Sequence, residues 1–193
     1  MHEQQGLKFL SKPPKGKMKA LLIVLAWILL WNTVFQILHG IWHEMPVVSW
    51  AFFISITIFF MQEELTYKAR FWHTLVGGSV GLLMAAGLVF IFSILAKSDV
   101  HPTVSTLIPI FIFVTMLILL NPYLPIFFNN VGFCYFIIAL IDAESAVAML
   151  QKYLLSLLLG SIILNLGCSG LLALYTKALT KKAMAKAQKE TVK

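Results

Sequence analysis

The sequence predicts an all-α integral membrane protein of six transmembrane helices with both termini cytoplasmic. Three observations carry this prediction. Of 193 residues, 60% are hydrophobic and only 12% are charged, and the mean hydropathy is +0.87. A soluble domain of this length needs far more polar surface. The apolar residues fall into runs long enough to cross a bilayer, which takes roughly twenty residues in a helix. Finally, thirteen of the fifteen Lys and Arg gather in three places: before Ala20, between Gln62 and Arg70, and from Lys177 onward. The net charge of +7 therefore follows the positive-inside rule and does not form a nucleic-acid-binding face.

The first run, about 20–41, contains "ALLIVLAWILLWNTVFQILHGI" after a basic start. It resembles a signal peptide, but no small-residue cleavage site follows, so it is read as an uncleaved span. "HEMP" ends it, and the second run covers about 46–62. The charged break "QEELTYKAR" leads to the third, about 71–96, in which Gly77, Gly81 and Ala85 recur every fourth residue. That spacing of small residues lets another helix approach closely. After "KSDVHP" comes the fourth run, about 104–120. The break "NPYLP" is tight and uncharged, with Pro122 and Pro125 ending one helix and setting the turn. The fifth run covers about 125–141, and the sixth about 148–176 beyond "DAES". The organisation expected is a basic tail over 1–19, a membrane domain over 20–176 and a second basic tail over 177–193. The Ala- and Lys-rich second tail should extend the sixth helix.

Sliding the chain by 82 residues lays "LVGGSVGLL" on "LLLGSIILN", Arg70 on Lys152 and Trp50-Ala-Phe-Phe on Gly132-Phe-Cys-Tyr. Identities are few. If this is an internal repeat, each unit holds three spans, and the odd number inverts one unit relative to the other. The alternative is chance likeness between apolar helices.

Within the first span, Asn32, Gln36, His39 and His43 are spaced by four, three and four residues. At about 100° per residue these side chains share one narrow stripe. Asn32 stands about 18 Å above Ala20, near the midplane. Lipid cannot satisfy such a stripe, so it either walls a solute pathway or joins helices by hydrogen bonds. On the sixth span, Ser161, Asn165 and Ser169 form a second stripe, with Asn165 about 16 Å from the inner edge. Meeting at mid-membrane, the two would build a neutral, amide-rich site suited to a urea-like amide or a short polar solute. Ser49 and Trp50 would stand near its outer entrance. Arg70 and Lys152 would mark the two mouths and favour anionic solutes, including short carboxylates.

Metal chemistry finds little support. His39 and His43 with Glu44 have ligand spacing on a helix, and His101 with Asp99 lies on the same outer side, but nothing fixes a fourth ligand or a catalytic water. Cys134 and Cys168 lie in apolar runs and read as small buried hydrophobes. No nucleophile–base array, phosphate loop or carboxylate pair is visible, so neither an enzyme nor a cofactor is expected. The partners expected are membrane lipids and a small polar solute, with no nucleic acid. A homo-oligomer is compatible with so thin a bundle.

The stretches "VSWAFFISITIFF", "GGSVGLLMAAGLVF", "NNVGFCYFIIALID" and "LLLGSIILNLGCSGLLALYTKA" resemble the small bacterial inner-membrane proteins grouped as domain of unknown function 1097. The resemblance spans roughly residues 20 to 180, and its best parts are Ser49–Trp50–Ala51 and the glycine-rich third span. It implies a six-helix inner-membrane protein. The chain departs in its longer basic amino-terminal tail and in its bulky aromatics after the second span. More weakly, the arginine-then-glycine opening of the third span is similar to the membrane halves of fusaric-acid-resistance-type exporters. That likeness implies export of small organic acids. Two functions follow as expectations: a channel or transporter for a small polar solute, or a non-transporting membrane scaffold.

Overall fold

A computed structural model describes residues 15–42, 44–57, 65–98 and 101–191. Their regular structure is entirely helical, with no strand among the described residues. In chain order they form α1 (Lys15–Ile41), α2 (Ser49–Phe53), α3 (Tyr67–Leu95), α4 (Pro102–Leu120), α5 (Asn130–Ala139), α6 (Ala143–Ala148), α7 (Leu150–Gly160) and α8 (Gly167–Thr191). A 3₁₀ turn, Ile54–Thr57, continues α2. A π-helical turn, Ser161–Leu166, joins α7 to α8 without a break.

Four helices are long and apolar enough to cross a bilayer: Met18–Ile41, Tyr67–Leu95, Pro102–Leu120 and Leu150–Ala185. They correspond to the first, third, fourth and sixth expected spans. Their ends follow local chemistry. Thr66 caps α3 by accepting a hydrogen bond from the Ala69 amide at 3.3 Å. His101 caps α4, whose first residue is Pro102, a position where a missing N–H costs nothing. Leu120 ends α4 just before Asn121-Pro122, as the turn prolines require.

The second and fifth expected runs look different. Residues 49–57 form α2 and its 3₁₀ turn, and 58–64 lie outside the described residues. Within 125–141, turns occupy 125–129 and only Asn130–Ala139 is helical. Ten residues of helix reach about 15 Å, half the hydrocarbon thickness. The local cause is Asn129. Its Oδ1 accepts from the Gly132 amide at 3.0 Å and starts α5 there. Its Nδ2 donates to the carbonyls of His73, Pro125 and Ile126 at 3.0–3.2 Å.

Close backbone approach builds the centre. A Cβ on Gly81 would overlap the Gly132 carbonyl, and one on Gly77 would overlap the Asn129 amide. The small stripe of α3 is therefore a packing face, against the start of α5. Gly160 admits the Phe52 carbonyl in the same way, so α2 lies directly on α7. Around these contacts Leu82, Ala85, Leu88, Val131, Tyr135, Phe136, Leu157 and Leu164 are buried. The Tyr135 hydroxyl donates to the Ala51 carbonyl at 2.5 Å, tying α5 to α2. The perimeter is apolar, with Phe90, Phe111, Leu119 and Leu174 exposed, as on helices long and apolar enough to cross a bilayer.

Candidate functional site

A polar pocket of about 500 Å³ opens where three segments meet: the last turns of α1, the segment 44–49, and the start of α7. Gln36 and His39 come from α1, Glu44 and Ser49 from the segment, and Lys152 from α7. Phe35, Val47, Val48 and Met149 form the apolar remainder of the wall. Ser156 holds the parts in register. Its hydroxyl donates to the Lys152 carbonyl at 2.6 Å and accepts from the Val48 amide at 2.7 Å. Glu44 and Lys152 line one cavity, yet among the described residues neither makes an ion pair. His43 lies outside the described residues.

Trp50 was expected beside Ser49 at the entrance. The two neighbours part company instead: Ser49 is exposed in the pocket wall, and Trp50 turns inward. Its ring packs on Tyr153 with centroids 4.8 Å apart and on Tyr135 at 6.0 Å. Burying an indole against two phenols removes far more apolar area from lipid or water than the pocket wall offers.

A second polar cluster lies deep in the bundle. Asn165 and Ser161 are fully buried on the π-helical turn, and Asn165 faces Thr74 of α3. Asn165 Nδ2 donates to Thr74 Oγ1 at 2.8 Å, and Thr74 Oγ1 donates to the Arg70 carbonyl at 2.8 Å. Ser169 Oγ donates to the Asn165 carbonyl at 2.7 Å. Asn165 Oδ1 and Ser161 Oγ are buried with no hydrogen-bond partner among the described residues. Single π turns inside α-helices are rare and recur at functional sites, because they rotate side chains out of the ordinary register. Arg70 stands near the start of α3, only 8% exposed. Its Nε donates to the Leu65 carbonyl at 3.0 Å, and its guanidinium lies 5.6 Å from the Tyr67 ring centroid.

The expected meeting of Asn32 with Asn165 is not what the structure brings together. Asn32 is exposed on the bundle surface, while Asn165 is directed at Thr74. The reason is the neighbouring indoles. Trp27 and Trp31 of α1 stack edge to face at 5.9 Å, and Trp27 Nε1 donates to the Ile163 carbonyl at 3.2 Å. Gly167 makes room for the Trp27 ring. These contacts choose which face of α1 is buried, and Asn32 lies about 100° away from Trp31. Of the outer stripe, Gln36 and His39 reach the pocket and Asn32 does not.

Thr74, Ser156 and Asn129 belong to no polar stripe or motif of the sequence. One signal was present: Thr74 lies four residues after Arg70 as Ser156 does after Lys152, in the 82-residue register. Thr74→Val should lower stability by about 1–2 kcal/mol, because it strands the buried Asn165 amide. The melting temperature of the purified protein checks this, and Thr74→Ser should restore it.

No family model, curated protein or solved structure matches this chain.

Proposed function

We propose that the chain is a channel or transporter for a small polar solute, with the Gln36 pocket as its outer vestibule. The observation that carries this reading is convergence. Five polar side chains from three separate segments line one cavity of about 500 Å³, at the end of a bundle whose flanks are apolar. Lys152 and His39 suit a carboxylate, and Glu44 with Gln36 suits an amide or ammonium. A short organic anion or a neutral amide fits both sets. Deeper in the bundle, the Asn165 and Ser161 oxygens offer a second stop on the way inward.

The chain is read as crossing the inner membrane six times, with both basic ends cytoplasmic, in two inverted three-helix units. Two reciprocal pairings support the repeat. Thr74 donates to the Arg70 carbonyl and Ser156 to the Lys152 carbonyl, and both members of the pair differ by 82 residues. Gly78 of α3 packs on Tyr135 of α5, while Gly160 of α7 packs on Phe52 of α2. Each unit thus packs its glycine helix on the short helix of the other, as a two-fold exchange demands.

Thiol labelling tests the reading. Gln36→Cys, in a Cys134→Ala/Cys168→Ala background, should react on intact cells with a membrane-impermeant reagent. Reaction should be about tenfold faster than at Leu30→Cys on the lipid face, since thiolate forms only where water reaches. A short carboxylate or amide should slow it. Equal, slow reaction at both positions, with protein correctly inserted, would favour a sealed polar seam and the scaffold function.

A further inference from the structure

The exposed face of α1 carries a second pattern that the solute pathway does not absorb. Leu22, Leu25, Leu29, Asn32, Gln36 and His39 follow one another at intervals of three, four, three, four and three. All six are exposed, the three leucines by about half of their surface. This spacing places all six on one face of the helix, and alternating threes and fours are the spacing found along the seam of a left-handed helix pair. The bundle-facing stripe of α1 is another one, formed by Val24, Trp27, Trp31 and Phe35. The helix can therefore serve both contacts at once.

We infer that this seam is where a second copy of the chain docks, as a parallel α1–α1 pair about a two-fold axis. Three arguments commit to that occupant. Copies inserted in one orientation present their α1 helices in parallel, as the seam requires. An amide carries both donor and acceptor, so the natural complement of Asn32 on a symmetry axis is Asn32 of the other copy. Finally, Asn32 stands about 18 Å into the membrane, where lipid offers it no hydrogen bond. Three leucines below it supply the packing, and one amide in a leucine seam fixes the register. Above Asn32 the same face opens into the pocket wall at Gln36 and His39, so pairing below would set the two vestibules side by side.

Disulfide trapping of the full-length protein in native membranes tests this. In the Cys134→Ala/Cys168→Ala background, single substitutions Leu25→Cys, Leu29→Cys and Asn32→Cys should cross-link to dimer under oxidation. Leu30→Cys and Ile37→Cys should not, although both positions are as exposed, at 53% and 57%. Adding Asn32→Leu to Leu25→Cys should lower the cross-linked fraction about three- to tenfold, the range expected for one interhelical polar contact in a membrane. Asn32→Gln should retain it. Photobleaching of the wild-type protein in nanodiscs gives an independent readout, with two steps expected. Equal cross-linking on both faces, no change on Asn32→Leu, or single-step bleaching would each overturn the proposal.

Discussion

Gly81→Ala is expected to lower stability by about 3 kcal/mol or more, enough to abolish the yield of a marginally stable protein. One methyl group has this effect because of what it meets. The Cβ would occupy the position of the Gly132 carbonyl, and its next neighbours are the carbonyl carbon and Cα of the same residue. A side chain can rotate away, but this backbone cannot move without separating α3 from α5. The contact is also the base on which other contacts rest. Tyr135 lies three residues along α5 and reaches Ala51, so a shift of α5 would carry α2 with it. Gly87 on the same helix is the control. Its Cβ would sit 3.8 Å from the Phe113 ring, an ordinary contact, and Gly87→Ala should leave the melting temperature nearly unchanged. Size-exclusion profiles of detergent-purified protein after stepwise heating would separate the two. Equal tolerance of both substitutions would mean that α3 and α5 are not in backbone contact.

Asn129→Ala should cost about 2–4 kcal/mol, read as a fall in melting temperature in the same assay. The substitution removes the cap of α5, and it also removes the donor that three carbonyls share. The His73 carbonyl belongs to α3, so this side chain joins the turn after Pro125 to the neighbouring helix. In an apolar environment those groups have no water to fall back on. Asn129→Ser separates the two roles without burying a charge. Its hydroxyl keeps an oxygen for the Gly132 amide but is too short to bridge to the His73 carbonyl, so it should recover the cap alone and fall between the wild type and Asn129→Ala.

The classes of element were legible because their signals are local. Apolar runs, prolines at 122 and 125, and small residues at 77, 81 and 85 each act within a turn or two of themselves. Hydropathy therefore located α1, α3, α4 and the long α7–α8 helix, and spacing identified the packing face of α3. It did not locate the ends of the short helices. Nor did it show that the Asn129 and Asn165 amides reach partners 56 and 91 residues away, His73 and Thr74. Of the site, the polar residues were visible by type, and Gln36, His39, Ser49 and Lys152 do share a cavity. Which of them meet was not visible. Periodicity places residues on one face of a helix without saying what that face is turned toward.

What the sequence by itself determined is the solvent and the material: an apolar all-helical chain, its basic ends, and one amide-bearing stripe on its first helix. Tertiary structure decided the orientation. Trp27 and Trp31 compete with Asn32 for the interior of the bundle and win it, because two indoles bury far more apolar surface than one amide can compensate by hydrogen bonding. That choice turns Asn32 outward, leaves Asn165 to Thr74, and assembles the pocket from Gln36, His39 and Lys152. No single segment holds that information, since it is a difference in burial between faces that only packing compares.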